Sequence, residues 1–387
     1  MPIASNVRLL PALAVTIALF STSAAEARSD KEELVRKWLD TMGQSGTSKI
    51  EYSDTRTDGD TVIVDNLVAT TTGEDAGTVK VDRLELTGVV ESADGEVSAS
   101  RVEAAGIAFD SEKSTLTVED AVFDTVAIDP KKAGTPNSPL ALPHALELNT
   151  LTVSNNDGKP PLPIAALRYA ADGFVGEVPT HMIITAEGIS APLDYIEEEE
   201  QRAAMRALGY SSMDITLNTE LRTAPDAGEV TIEDLTIAID DMGALALSAS
   251  FAGIPPEVLR GEEGVDAPGV SEKLTQKAAL QSLSISFEDD SITGKALDMQ
   301  AKASGVDTDT FRTQIVAMLP QVLAAVGNKA FEAKAASAIA AFLEKPQSLT
   351  FTAAPAAPVL LSEAFAAAML APQSLIQTLA VDVTANE

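Results

Sequence analysis

The residues that could carry chemistry are few, and the two histidines come first. His144 lies in a proline-rich segment, His181 directly follows a proline, and no second histidine lies within four positions of either. The chain has no cysteine nucleophile and no Gly-x-Ser-x-Gly, Ser-x-x-Lys, His-Glu-x-x-His or phosphate-loop motif. A serine triad would need a histidine beside a serine in space, which spacing alone does not test. We therefore interpret both as ordinary strand or surface histidines, and expect no enzyme and no cofactor.

Carboxylate runs are the second source of chemistry. Asp occupies positions 1, 5, 7 and 12 of the run from Asp54 to Asp65, with Gly59 at position 6, as in a calcium loop. Arg56 stands at position 3, where a ligand oxygen is expected, so we predict a hairpin turn instead. Glutamates 197–200 point around a helix rather than converging, and we predict a solvated face. With 58 acidic residues, no chosen pair indicates a paired-carboxylate hydrolase, which stays an alternative.

Short alternating segments between Ile50 and Ile189, separated by turn residues, predict the strands that would hold these side chains. Several share one form, which is apolar-x-apolar, two further residues, and again apolar-x-apolar. The first four copies begin 17, 18 and 19 residues apart, a degenerate repeat of about 18 residues. The copies are VIVDNLVA, VKVDRLEL, VSASRVEA, LTVEDAVF, LELNTLTV and VTIEDLTI.

The apolar residues change parity in the middle of each copy. In a strand of period two, Val79 and Val81 cannot face the same side as Leu84 and Leu86 unless the backbone bulges or turns a corner between them. We predict such a break at Asp65-Asn66, Asp82-Arg83, Ser100-Arg101, Glu119-Asp120 and Glu233-Asp234. If the break recurs in neighbouring strands, it would curve the sheet. The concave side of the sheet would then be either a filled core or an open groove. The residues predicted to line it are Val79, Val81, Leu84, Leu86, Val97, Val102, Leu116 and Val118.

Helical patterns flank these strands. We predict amphipathic helices over Ser29–Met42 and Ser190–Leu208, the second with Pro192 in its first turn. The fold class is therefore α+β and β-rich: a curved antiparallel sheet of degenerate repeats, followed by a C-terminal α+β region. Its domains are residues 28–190, the N-terminal helix and the repeats, and residues 191–387, a helix, further strands and the α+β region.

The C-terminal region combines strands and helices. Strands are predicted near residues 280–287 and 296–302, and helices open near Asp307, with Pro320 expected to kink or split the first, and after Asn328. The tetrapeptide PQSL occurs at Pro346 and again at Pro372, and we predict a helix, a proline stop and a return strand at both places.

The first 27 residues predict the compartment. Arg8, an apolar run and a small-residue stretch predict an export signal cleaved after Ala25 or Ala27. No later segment has the length and apolarity of a membrane span. The formal charge of −31 disfavours nucleic acid and anionic membrane surfaces as partners. We expect a periplasmic protein that does not span the membrane.

Longer segments carry two resemblances. The strands around VKVDRLELTGV and EVTIEDLTIAIDDMGALALSASFAGIP resemble AsmA-like envelope proteins, which implies a long curved sheet with a lipid-lined groove. The segments LGYSSMDITLNTEL, SISFEDDSITGKALD and FLEKPQSLTFTAAPAAPV resemble a family of uncharacterised exported proteins of alphaproteobacteria, which implies no activity. The chain departs from the AsmA-like pattern because it is short and lacks the usual membrane anchor.

These observations predict a non-catalytic periplasmic protein that binds or scaffolds cell-envelope components. The alternative is a periplasmic lipid-binding or carrier protein that uses a groove in the curved sheet, and the second alternative is a hydrolase. The partner would be an envelope protein or a lipid. The two leading interpretations differ in whether the aliphatic interior is filled by facing side chains or lines an open trough.

Overall fold

The computed structural model describes residues 30–43, 49–71, 76–93, 95–128, 143–175, 178–260 and 269–387. The predicted export signal, residues 1–27, lies outside the described residues. The chain divides into two compact units, which we call unit 1, ending at Ala170, and unit 2, beginning at Ala171. The sequence patterns predict a boundary after residue 190.

Strands dominate the described chain and all their pairings are antiparallel. Strands account for 48% and helices for 31% of it, and the helices lie mostly towards the C-terminus. The predicted class, a β-rich α+β fold with a curved antiparallel sheet, is thereby confirmed.

Unit 1 begins with one helix and continues as strands. Its elements are α1 (Asp30–Gly43), β1 (Lys49–Glu51), β2 (Asp54–Asp58), β3 (Thr61–Thr71), β4 (Gly77–Thr87), β5 (Val90–Glu91), β6 (Val97–Ser111), β7 (Ser114–Ile128), β8 (Ala145–Asn155) and β9 (Leu162–Asp172). Each strand pairs with the next long strand along the chain, in the order β3, β4, β6, β7, β8 and β9. The short β1 and β2 both pair with β3, and β5 pairs with β6. The unit is therefore a meander built from local hairpins.

The parity break in β4 lies where the sequence predicts it. Val79, Val81, Leu84 and Leu86 are all buried, while Asp82 and Arg83 are exposed. Pairing with β3 and β6 keeps one register across the break, so no extra residue is inserted on one side. The predicted alternatives were a bulge or a corner, and in unit 1 the break is a corner.

The corner continues across the sheet because neighbouring strands change parity together. Positions left out of the pairing form a row across the strands: Asn66 in β3, Asp82 in β4, Gly106 in β6, Glu119 in β7 and Thr150 in β8. A second pair left out between β6 and β7, Ser100 and Thr125, lies at the predicted break Ser100-Arg101. Alternate members of the row, Asn66, Gly106 and Thr150, have left-handed backbones with φ of 54°, 62° and 52°. At Gly106 a Cβ atom would lie 2.2 Å from Asp82 Oδ2, so the crossing strand leaves no room for a side chain.

The core of unit 1 lies on the side to which both halves of each strand point. Helix α1 closes it with Val35, Trp38 and Leu39, which are almost completely buried. All eight residues predicted to line the interior belong to this same cluster: Val79, Val81, Leu84, Leu86, Val97, Val102, Leu116 and Val118. In unit 1 these side chains are thus packed against each other and against α1.

Unit 2 is also built from antiparallel strands that pair with their neighbours along the chain, followed by helices. Its elements are β10 (His181–Pro192), α2 (Glu199–Ala207), β11 (Ser212–Ala224), β12 (Glu229–Ile239), β13 (Gly243–Ala252), α3 (Pro256–Leu259), α4 (Val270–Lys277), β14 (Ala279–Asp289), α5 (Ile292–Ala303), α6 (Thr308–Leu323), α7 (Lys329–Glu344), β15 (Ser348–Ala353), β16 (Val359–Leu360), α8 (Leu361–Leu370), α9 (Pro372–Thr378) and β17 (Val381–Ala385). Strands β10 to β15 pair in chain order, β17 pairs with β15, and β16 pairs with β14.

In unit 2 the breaks are true bulges. Between β12 and β13, Ile232 pairs with Ala249 and Leu235 with Leu247, so Glu233 and Asp234 face the single residue Ser248. The predicted break at Glu233-Asp234 is therefore a one-residue bulge. It restores the phase of β12, and Ile232 and Leu235 point to the same face of the sheet.

Two predicted elements differ from the structure. The helix predicted over Ser190–Leu208 begins only at Glu199, because β10 extends to Pro192 by pairing with β11 and a 3₁₀ turn follows. The strand predicted over residues 296–302 is part of α5, which buries Leu297 and Ala301 one helical turn apart. Its alanine, lysine, methionine and glutamine residues favour a helix.

Helices α6 and α7 begin where a side chain caps their N-terminus. The Asp307 carboxylate accepts a hydrogen bond from the Thr310 backbone N–H at 2.8 Å and opens α6, and the Asn328 side chain opens α7 in the same way. Helix α6 continues through Pro320 to Leu323 instead of splitting there.

The two copies of PQSL do not adopt the same structure. The first copy ends α7 and leads into β15 as predicted, whereas Pro372 is the first residue of α9 and β17 starts only at Val381.

No helix among the described residues is long and apolar enough to cross a membrane.

Candidate functional site

The sheet of unit 2 has one apolar face that its own side chains do not cover. Strands β10 to β13 alternate so that Leu217, Ile237 and Leu245 are cross-strand neighbours on this face. The row beside it continues as Thr219, Leu235 and Leu247. We call the side chains of β10–β13 on this side the apolar face.

Burial separates the apolar face from the core of unit 1. Among the described residues of β10–β13, no valine, leucine, isoleucine, methionine or phenylalanine side chain is buried. Ile237 and Leu245, which pair with each other, are 42% and 49% exposed. Only alanines, such as Ala249, are buried on these strands. The large apolar side chains around this pair, such as Leu217, Leu235 and Leu247, are half-buried. Isolated exposed aliphatic residues are ordinary, but a contiguous apolar patch that lacks a large buried side chain is a candidate interaction surface.

The helices of the described chain leave this part of the sheet open. The main helix–strand contacts of unit 2 are made on β15, β16 and β17. Phe342 of α7 stacks edge-on against Phe287 of β14, with ring centroids 6.1 Å apart, and is itself buried. Helix α7 therefore packs on the neighbouring β14–β17 part of the sheet, where Phe351 of β15 is still 38% exposed. No side chain of α2 is buried.

The apolar face contains no charged residue, although the chain as a whole carries a formal charge of −31. Acidic and basic side chains of the same strands point to the opposite face, where Arg222 bonds Glu233 at 2.7 Å and Glu220 at 3.0 Å. Ile183 also lies on that opposite face, paired with Glu220, and is 38% exposed. The two faces thus differ sharply in chemistry.

His181 belongs to the polar network and not to the apolar face. Its Nδ1 lies 3.1 Å from Asp172 and its Nε2 lies 2.9 Å from Glu220. Both carboxylates are acceptors, so both ring nitrogens must donate and the imidazolium form is favoured. The hydrogen bonds to Asp172 and then Glu220 raise the pKa of His181, and the bond to His181 lowers the pKa of Glu220. Neither nitrogen is left to activate a serine hydroxyl.

The remaining chemical candidates also lie in structural settings. His144 is exposed at the start of unit 1 strand β8, and its backbone N–H donates to Asp124. The run from Asp54 to Asp65 forms the β2–β3 hairpin, as predicted, and Arg56 bonds Asp65 across it. Among the described residues no group of three or more histidine, aspartate or glutamate side chains is arranged to hold a metal ion.

The predicted lining residues and the exposed apolar face are in different units. The eight predicted residues are in the filled core of unit 1, whereas the open face is on β10–β13 and includes the copy VTIEDLTI from Val230. Alternation identified these strands but could not tell which copy is covered. The sequence contains a usable signal: the amphipathic helix with Trp38 precedes the first repeats, while the segment before Ser212 is acidic and short.

Comparison with known proteins supplies no activity. A family model described as an uncharacterized protein matches residues 236–386, less than half of the chain. No curated protein matches the chain. The match begins inside β12, of which it includes the last four residues, and continues through β13, β14 and the elements that follow.

Proposed function

We propose that this chain is a non-catalytic periplasmic cell-envelope protein that binds lipid acyl chains on the apolar face of unit 2. One observation carries the proposal: four adjacent strands present large aliphatic side chains of which none is buried. Leaving such a face in water is unfavourable by about 25 cal/mol per Å² of apolar surface. An apolar ligand removes that penalty.

The dimensions of the face suit an acyl chain. Ten-residue strands extend about 33 Å, and three strand spacings span about 14 Å, which gives on the order of 450 Å². Patches of this size are at the upper end of those found on monomeric proteins and are often functional. One leaflet of a bilayer core is about 15 Å thick, so an acyl chain of that length fits along the strands.

The chemistry of the face favours a lipid over an envelope protein as the ligand. Protein interfaces combine apolar anchors with about one hydrogen bond per 100–200 Å². The side chains of the apolar face offer hydrogen bonds only through threonines such as Thr219. The export-signal pattern of residues 1–27 supports the periplasm as the compartment, and scaffolding of an envelope protein remains the alternative that the experiment tests.

Binding of a fluorescent polyene fatty acid to the full mature chain tests the proposal. The double variant Ile237→Gln/Leu245→Gln places two amides on the face, and we expect it to weaken binding by at least about tenfold. The control is Ile183→Gln, which changes a comparably exposed isoleucine on the opposite face and should bind like the wild type. Unchanged far-UV circular dichroism and melting would show that both variants fold.

Native mass spectrometry of gently purified protein provides the second measurement. Phospholipid or fatty acid at fixed stoichiometry, lost in the double variant, would support the proposal. Equal probe binding by wild type and double variant would overturn it, as would wild-type protein that neither binds the probe nor carries lipid. Copurification of another protein at fixed stoichiometry, with no lipid, would favour the alternative that this chain scaffolds an envelope protein.

A further inference from the structure

Helix α8 carries the most exposed large apolar side chains of the described chain. Phe365, Met369 and Leu370 are 67%, 86% and 85% exposed. Phe365 and Met369 are four residues apart and therefore lie on one side of the helix, and Leu370 is its last residue. We call these three residues the α8 tip.

The rest of α8 is anchored. The helix packs against α4, β16 and α9, and the backbone N–H of Leu361 donates to Ala278 at 2.9 Å. Glu363, Ala366 and Ala368 of α8 are exposed as well, but the large apolar side chains exposed on this helix are the three of the α8 tip. A three-residue apolar projection on an anchored helix is a docking element, since nothing in the fold of unit 2 requires it.

We propose that the α8 tip inserts into the surface of a zwitterionic phospholipid bilayer. This inference goes beyond acyl-chain binding on β10–β13 and does not depend on it. Side chains of this kind bury about 150–250 Å² at most, so the tip offers on the order of 400 Å². A stable protein interface needs about 800 Å² from each partner, so the tip is too small to hold a second copy or another protein.

Charge selects the type of bilayer. Between residues 361 and 380 the only charged residue is Glu363, so no lysine or arginine is present to bind anionic headgroups. The net charge of −31 repels anionic surfaces at long range. Insertion of the tip therefore depends on apolar contact, which a neutral zwitterionic surface permits.

Flotation of the full mature chain with phosphatidylcholine vesicles tests the inference. The triple variant Phe365→Ser/Met369→Ser/Leu370→Ser should lower the vesicle partition coefficient by at least about 100-fold, because three apolar side chains are lost. The control Met318→Ser/Val322→Ser changes two residues of α6 that are 59% and 64% exposed, and it should float like the wild type. Replacing one third of the lipid with phosphatidylglycerol should reduce wild-type binding, and salt should restore it.

Several results would overturn the inference. These are failure of the wild type to float, equal flotation of the triple variant, or concentration-dependent dimerisation that the triple variant abolishes. Circular dichroism verifies the fold of the triple variant. The two proposals fail separately, since the triple variant should still bind the polyene fatty acid and Ile237→Gln/Leu245→Gln should still float.

Discussion

His181 shows how two carboxylates turn a histidine into a structural cation. Asp172 and Glu220 each accept a hydrogen bond from one ring nitrogen, while Arg222 and Glu233 extend the network along the same face. The pKa of His181 is raised in the folded chain, mainly through Asp172 and then Glu220. The imidazolium form of His181, at the start of β10, therefore stabilises the contacts with Asp172 and Glu220.

The sign of the pH dependence follows from that raised pKa. The stabilisation by His181 is fully present below the unfolded pKa of about 6.5 and is lost as pH rises through the higher folded value. His181→Gln should lower the melting temperature of unit 2 by about 2–4 °C at pH 5.5 and by less at pH 9. Thermal melts of both proteins between pH 5 and 9 measure this. A difference that grows towards pH 9 would contradict the assignment.

At the scale of elements, the corner across unit 1 requires neighbouring strands to change parity at the same row of positions. Thr150 of β8 has φ of 52°, a left-handed conformation that is unfavourable for a β-branched residue, whereas glycine adopts it readily. The corner is retained because every strand in the row must change parity together for both halves to reach the core. The strain is therefore local and can be relieved by substitution.

Thr150→Gly should stabilise unit 1 by about 1 kcal/mol, because it removes the backbone strain without changing the register. The matched control is Thr152→Gly, two residues along the same strand in an extended position, which should destabilise by about 1 kcal/mol through lost strand propensity. Urea unfolding followed by Trp38 fluorescence gives both values, since Trp38 is the only tryptophan and lies in the core of unit 1. Equal effects of the two substitutions would contradict the corner model.

Sequence patterns predict the position of the break, as a bulge or a corner, because parity is a purely local signal. The break at Asp82-Arg83 and the caps at Asp307 and Asn328 follow from the residues themselves. The two elements that the sequence assigns wrongly are determined by contacts with residues distant along the chain. Pairing with β11 extends β10 beyond the expected helix start, and Leu297 of α5 is buried by tertiary packing.

The sequence predicts that the strands have an apolar face, but it does not predict which strands leave that face exposed. Alternation shows that a strand has an apolar face, and both VKVDRLEL and VTIEDLTI show it equally well. Whether the face is filled depends on a covering helix, which α1 supplies in unit 1 through Trp38. That information lies in tertiary packing, so the sequence leaves open whether Val79 and its neighbours line a filled core or a groove. In the structure they are in a filled core, and the exposed apolar face lies on β10–β13.

At the scale of the whole molecule, net charge opposes the compact state. The chain has 58 acidic and 27 basic residues, so most carboxylates have no cation to neutralise them. Its ion pairs are mostly exposed, as with Arg101 and Asp124, and such pairs contribute about 0–1 kcal/mol each. Salt weakens these attractions slightly, but it screens the much more numerous repulsions between carboxylates.

Added salt should therefore stabilise the protein. The Debye length falls from about 30 Å at 0.01 M to about 10 Å at 0.1 M, so most of the gain should come below about 0.3 M NaCl. We expect the melting temperature to rise by about 5 °C over that range and then to level off, because screening saturates while general salt effects on burial do not. Trp38 fluorescence reports this for unit 1, and circular dichroism reports it for the whole chain. A melting temperature that falls with NaCl would mean that ion pairs, and not carboxylate repulsion, dominate the electrostatics.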